Sequence, residues 1–587
     1  RPASAEDAVR FATYMTADKV VNFFTGLEAG KDPVPVFERL HIHKVCVEVY
    51  RGGVVVPPDQ LRKVKAWFEE RGYQVVGGIA TVPGGDFGVK QVGALDWFNW
   101  QNEKTQRDLK AVMEAAAPIF DTFVIDDFLC TGDESQESID AKGERSWPDY
   151  RRDLMVRLAR EIFIEPAKRI NPSITMIIKY PQWYDRFQMF GYDVPRQSAQ
   201  FDQTWVGTET RGAATQRFGF TQPYEGFVNY RYIKSIAGEK VATAWFDHGD
   251  CDANDFLDQA YMTVLAGAPE IVLFNYGEVV EGHPGHDLLA EHMPRLQELA
   301  TAVKEHPVTG IPAYKPPNSD AGGDLYIMDF LGMLGVPLVP VSEFPADARE
   351  IILPTQAASD PDIASKVEAA IERGATLILT AGFLANAEGL PWKIASNPFK
   401  AESVIDPSAG KRTAVENLTL ESREGPRGFK HKLVAEANGA RYPFMSIRQE
   451  EASTLIFINV HTYSQADFDA VGETLLSPRP LSLLDLPMDA FTPLRMRLGE
   501  IGPKPWLNAP AKVTFQPLGD SSWFLLNNSA EPAKVELRMF GVPGDKFEDA
   551  LTDEIFRTKG RPGGFNLWTL SFDIEGRGYR WIRPVSD

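Results

Sequence analysis

The run TFVIDDF at residues 122–128 returns in altered form as ITMIIKYPQWYD at 174–185, FDQTWVGTETR at 201–211, KVATAWFDHGD at 240–250 and EIVLFNY at 270–276. Each is a short apolar or β-branched run that stops at polar and aromatic residues. Such runs, separated by longer stretches of helical period, are the signature of βα units on a parallel sheet buried on both faces. Working outward toward the N-terminus, Val20 to Phe24, Lys44 to Tyr50 and Tyr73 to Ile79 read the same way. With Thr122 to Ile125, Ile174 to Tyr180, Phe201 to Val206, Lys240 to Phe246 and Glu270 to Asn275, the predicted strands number eight.

The intervening segments are helical for nameable reasons. Gln60 to Gly72 sets Leu61, Val64, Trp67 and Phe68 on one face and stops at a glycine suited to a C-terminal cap. Glu103 to Phe120 does likewise with Leu109, Val112, Met113 and Ala116. Ser146, followed by Pro148 and Asp149, predicts a capped start for a helix ending near Pro166, and Asp252 to Ala266 and His286 to Lys304 complete the set. Eight strands with eight helices predict an α/β (β/α)8 TIM barrel over residues 1–307, with catalytic groups at the strands' carboxyl ends.

A smaller α/β domain is expected over 308–414, from a helix at Asp324 to Leu334, strands at Val336 to Val341, Glu350 to Leu353 and Thr376 to Leu379, and a helix from Asp362 to Arg373. Alternating stretches from Ser453 to Ile582, broken by Pro, Gly and Asn, predict a β-sandwich over 415–587.

Composition narrows the partners. The 587 residues carry 61 Lys plus Arg against 81 Asp plus Glu, a formal charge of -20 with no compensating basic run, which excludes a phosphate backbone as partner. The most apolar stretch, Leu325 to Val341, is broken by Asp329, two glycines and two prolines, so no membrane span is expected. Cys46, Cys130 and Cys251 are spaced neither as a zinc site nor as a disulfide framework and read as packing residues. Beginning at Arg1 rather than Met fits a cleaved leader or a trimmed N-terminus, so a periplasmic or secreted setting suits the sequence and a cytoplasmic one does too.

The residues at the expected strand ends are polar and aromatic: Glu28, then Glu48 and Tyr50, Asp126 and Asp127, Lys179, Trp183 and Tyr184, Trp205, Glu209 and Arg211, Trp245, Asp247 and His248, and Asn275, Tyr276 and Glu278. Carboxylates interleaved with Trp and Tyr suit sugar chemistry. Aromatic faces pack on the C–H faces of pyranose rings, and glycosidic cleavage needs one carboxyl to protonate the leaving oxygen and another to attack carbon or activate water. Asp126 and Asp127 have opposite parity and periodicity does not choose between them; Asp127, nearer the exposed end, is favoured. Asp126 remains the alternative on that strand, and Glu209, Asp247 and Glu278 are the candidates for the second carboxyl. Glu48, Lys179, Trp183, Tyr184, Trp205, Arg211, Trp245, His248 and Tyr276 are expected to bind substrate. His283 and His286 have HxxH spacing but no third ligand, so a solvated loop is expected, with no metal or cofactor.

The order of barrel, small α/β domain and sandwich resembles the family 42 β-galactosidases and the family 164 β-mannosidase-type glycoside hydrolases. The segments EIILP and ERGATLILT resemble the middle domain of those enzymes, an amidotransferase-like fold without its active site. The resemblance implies an exo-acting glycoside hydrolase with a carbohydrate substrate, and a homo-oligomer, by analogy a trimer. The Asn-Glu pair of family 42 at strand four is replaced here by Asp126-Asp127. Families with an acid/base on strand four and a nucleophile on strand seven imply Asp127 and Asp247. Families resembling the α-galactosidases imply Asp127 and Glu209, the preferred pairing. Two other readings compete: a metal-dependent sugar isomerase or lyase with Glu48, Asp127, Asp247 and Glu278 around a divalent ion, and an inactive carbohydrate-binding protein.

Overall fold

The computed structural model describes residues 7–126, 128–215, 219–450, 452–499, 505–541, 546–560 and 567–585. The chain forms two compact units: residues up to Gly212 together with Tyr232–Lys304, and Ala213–Arg231 together with Glu305–Asp587.

The first unit is a closed barrel of eight parallel strands: β1 (Arg10–Met15), β2 (Ile42–Glu48), β3 (Gln74–Ala80), β4 (Thr122–Asp126), β5 (Thr175–Tyr180), β6 (Gln203–Gly207), β7 (Val241–Asp247) and β8 (Glu270–Phe274), with β8 pairing back onto β1. Seven lie where the sequence predicts them. The first does not, because the barrel's opening strand is RFATYM at 10–15, while VVNFF at 20–24 lies in the helices Ala17–Val21 and Phe23–Glu28. The physical reason is burial: Val20 and Phe23 are buried while Val21 between them is exposed, whereas a barrel strand covered on both faces would bury the run continuously. Glu28 is consequently a helix terminus and not a strand end.

The predicted cap at Ser146 forms: its hydroxyl accepts from the Asp149 backbone N–H at 3.2 Å to start Trp147–Leu158. At the start of Ala253–Leu265, Asp252 and Asp255 form a reciprocal capping box. The barrel interior is packed by Ala12, Tyr14, Cys46, Val76, Val124, Ile177, Trp205, Trp245 and Val272, all nearly or completely buried. These residues fix the inward parity of their strands.

In the second unit a nine-stranded sheet runs in the order Leu338–Val341, Ile311–Tyr314, Glu350–Leu353, Thr376–Thr380, Ser453–Ile458, Ala440–Glu450, Lys430–Ala437, Ser403–Asp406 and Lys411–Ala414. The expected boundary at 414/415 is thereby corrected. Ser453–Ile458 is no sandwich strand: it pairs in parallel with Thr376–Thr380, which, buried on both faces, needs a neighbour on each edge. The sandwich proper begins near Trp506. Its sheets are Trp506–Asn508, Ala533–Phe540, Leu567–Ile574 and Lys559–Gly560 on one side, and Val513–Pro517, Trp523–Asn527, Tyr579–Pro584, Lys546–Asp549 and Ile555–Arg557 on the other, around Phe515, Leu525, Leu537, Phe547 and Leu570. Residues 213–231, between β6 and β7 in sequence, also belong to this unit. The Tyr224 hydroxyl donates to the Leu338 carbonyl at 3.2 Å, and its ring lies against Gly332, where an added Cβ would be 2.2 Å from it. Among the described residues no helix is long and apolar enough to cross a membrane.

Candidate active site

Inward parity decides which residues reach the carboxyl ends of the strands from inside. Asp126 continues the inward series of Val124, as Glu48 continues that of Cys46 and Lys179 that of Ile177. Periodicity left the choice within the Asp pair open, and the structure turns Asp126 inward; Asp127 lies outside the described residues.

Lys179 is the centre of the arrangement. Its ammonium, fully buried, donates to Glu209 Oε1 at 2.9 Å, lies 3.8 Å from Asp126 Oδ1 and sits 4.5 Å over the Trp245 ring. A buried ammonium is costly unless paired, and here two carboxylates and an indole face compensate it. Asp126 Oδ2 in turn accepts from Arg51 at 3.0 Å, and Arg51 Nε lies 3.0 and 3.1 Å from the two oxygens of Glu48. Glu48 also accepts from the Tyr14 hydroxyl at 2.8 Å and the Ala17 backbone N–H at 2.6 Å. Burial opposes the charge on Arg51, but Glu48 and Asp126 outweigh it and raise its pKa further. Burial, then Glu48 and Asp126, push the Tyr14 phenol far up, so it remains a donor.

Two glycines make room for this network. An added Cβ at Gly78 would stand 2.8 Å from the Tyr14 hydroxyl, and one at Gly207 only 2.3 Å from Glu209 Oε2. Glu209 is thus folded back over a bare stretch of β6, and the Gln182 side-chain amide donates to its carbonyl at 3.2 Å.

A second group sits at β7 and β8. Arg211, in the left-handed region at φ 56°, grips Asp247 with Nε at 2.9 Å and Nη2 at 2.6 Å from the two carboxylate oxygens. His248 Nδ1 donates to the Phe274 carbonyl at 2.6 Å, leaving Nε2 to accept from His286 Nε2 at 2.8 Å; His286 Nδ1 then accepts from the His283 N–H at 3.3 Å. Burial is the main reason that His248 is pushed down to about 4 and His286 to about 3; repulsion from His283 adds to it at His248, and repulsion from His248 and His283 at His286. The solvated loop expected around HxxH is corrected: His286 is fully buried, in a neutral relay with fixed tautomers. Among the described residues no group of three or more His, Cys, Asp or Glu side chains is arranged to hold a metal ion.

The structure brings Glu48, Asp126, Lys179, Glu209 and Trp245 together and Arg211, Asp247 and His248 beside one another. Other expected substrate contacts face elsewhere. Trp183 is buried among Trp97, Phe187, Phe190 and Tyr192, and Tyr184 is buried near Tyr232. Trp205 fills the barrel interior one layer below the mouth, with Lys44 5.8 Å over its ring. Tyr276 starts the helix Tyr276–Glu281 and packs on Phe23 and Phe37, and Glu278 on that helix is exposed. In each case protein already covers the aromatic faces. Sequence reading missed Arg51 and Tyr14; Arg51 stands three residues after Glu48, a cue that only a known strand end would have made visible.

Comparison with known proteins fits this geometry. Residues 1–292 match the family described as probable glycosyl hydrolase, catalytic domain, and residues 305–393 match the second domain of uncharacterized protein SSO3021. That protein, from Saccharolobus solfataricus, is 25% identical over 369 residues, 56% of this chain and 59% of the relative, so the match spans well under two thirds of the relative's length. The fold is similar to a cold-adapted β-galactosidase from Rahnella sp. R3, 12% identical over 100% of this chain and 99% of that one with a TM-score of 0.65. It is also similar to a β-galactosidase from Bacillus circulans sp. alkalophilus, 11% identical over 98% of this chain and 99% of that one at 0.61. An α-L-fucosidase isoenzyme from Paenibacillus thiaminolyticus, 12% identical over 98% of both chains, scores 0.60. At these identities the structural likeness is one of fold. The match over residues 1–292 goes further than fold, because the barrel of this chain is similar in sequence to a family of probable glycosyl hydrolase catalytic domains.

Proposed function

We propose that the chain is an exo-acting glycoside hydrolase that removes a terminal sugar with two carboxyl groups at the barrel mouth. Glu209 serves as acid/base and Asp127 as nucleophile or base. The observation that carries the reading is the buried Lys179 ammonium shared between Asp126 and Glu209. A group that gives up and regains a proton each cycle changes charge, and an ammonium between two carboxylates keeps a partner in either state. Asp126 is fully buried and held by Arg51, which suits positioning better than bonding to carbon, and so the nucleophile role falls to its neighbour. The carboxylates that a metal-dependent isomerase would use, Glu48 and Asp247, are each engaged by a guanidinium.

Substrate class is read from the relatives of like fold, and the test is hydrolysis of aryl β-galactosides, α-L-fucosides and β-mannosides by wild type, Asp127→Asn, Glu209→Gln and Asp247→Asn. Loss of about 10² to 10⁴ in kcat for the first two variants is expected. Activity lost in Asp247→Asn but intact in Glu209→Gln would move the second carboxyl to β7.

A further inference from the structure

The second unit holds a cavity of about 340 Å³, within the size range of small-ligand sites, lined by Arg495, Trp506, Leu507, Trp523, Pro517 and Glu350 among others. Two donors in its wall are unusual. Arg495 is 2% exposed, yet its guanidinium meets carbonyl oxygens alone: Leu334 from Nε at 2.8 Å and Nη2 at 2.5 Å, and Ala509 and Met488 from Nη1 at 2.7 and 3.5 Å. Among the described residues no carboxylate neutralises it, and burial by itself pulls its pKa down to about 10. The indole N–H of Trp506, a residue 4% exposed, is buried and has no hydrogen-bond partner among the described residues. A buried cation without a counter-ion and a buried donor without an acceptor both cost stability, and an anionic acceptor placed between them would satisfy both. Carbonyl contacts use four of the five N–H donors of the guanidinium, which leaves one on Nη2 for a carboxylate oxygen. The rest of the wall is largely apolar and aromatic, and Thr309 and Ser521 add hydroxyl groups to it.

We infer that this cavity is a binding site, separate from the barrel, for a small hydroxylated carboxylate of monosaccharide size, a uronic acid by class. The carboxylate pairs with Arg495 and Trp506, and the ring lies against the indole and aliphatic walls.

Titration of the full chain with D-glucuronate, D-glucose and benzoate, followed by ligand-observed NMR, tests this. Glucuronate is expected to bind wild type and Glu209→Gln alike. It should bind about tenfold or more weakly to Trp506→Phe, which keeps the ring and removes only the donor. Arg495→Met should abolish binding, and because that change also frees three carbonyls, its thermal melting is recorded alongside and Trp506→Phe carries the decision. Unchanged affinity in Trp506→Phe, binding lost in Glu209→Gln instead, equal binding of glucose, binding of benzoate alone, or no glucuronate binding would each overturn the inference.

Discussion

Lys179 and Gly207 are the two residues on which the candidate site depends most. Lys179→Met leaves Glu209 and Asp126 buried without the ammonium between them, and breaking such a pair costs about 3–5 kcal/mol, readable as a lower urea midpoint. Gly207→Ala acts differently, because the added methyl meets the end of a flexible side chain. Its expected effect on stability is a loss smaller than that of Lys179→Met, since the ion pair is stretched rather than deleted and Ala also reduces the freedom of the unfolded chain. Its expected effect on kcat is a loss of about tenfold or more, because Glu209 is pushed off Lys179 and small misplacements of a catalytic group are expensive. A Gly207→Ala variant with full kcat would show that the folded-back position of Glu209 is not the working one.

At the scale of elements, the segments that follow β7 and β8 carry a pH dependence of known sign. His248 and His286 have folded pKa values of about 4 and 3, below the unfolded value near 6.5. Between these limits the unfolded chain binds more protons. Their contribution is therefore complete above about pH 6.5 and is lost as pH falls toward 4 and then 3, with a slope approaching about 1.4 kcal/mol per pH unit for each ring. Chemical denaturation from pH 7 to 4 should show that fall, and His286→Gln should flatten it; an unchanged slope would contradict the relay. These elements also show how far sequence reading reaches. Strands β2 to β8 were legible because parallel strands buried on both faces are continuous apolar runs bounded by helices. β1 was not, since RFATYM mixes Arg, Ala and Met while the better strand former VVNFF was committed to a helix by its packing against Phe68 and Trp67. Glu209, Lys179 and Arg211 were legible as strand-end polar residues. The exclusion of Trp183, Trp205 and Tyr276 from the mouth was not, because an aromatic residue has the same strand-end position whether it faces a ligand or a neighbouring helix.

For the whole molecule, the family match assigns the barrel, and the sheet that crosses residue 414 assigns the segment up to Ile458 to the α/β layer. A chain ended after Ala414 strips Thr376–Thr380 of its partner Ser453–Ile458 and exposes an apolar edge, so it is expected to aggregate on expression. Recovery of a soluble, cooperatively folding product would argue that the strand is dispensable. The central claim is that Glu209 handles the leaving-group proton of a glycosidic cleavage at the barrel mouth. Its most direct test compares Glu209→Gln with wild type on two glycosides of the preferred sugar, one with a dinitrophenyl leaving group that departs without protonation and one with an alkyl leaving group that does not. Glu209→Gln should lose about 10² or more on the alkyl glycoside and far less on the dinitrophenyl glycoside; equal rates for variant and wild type on both would contradict it.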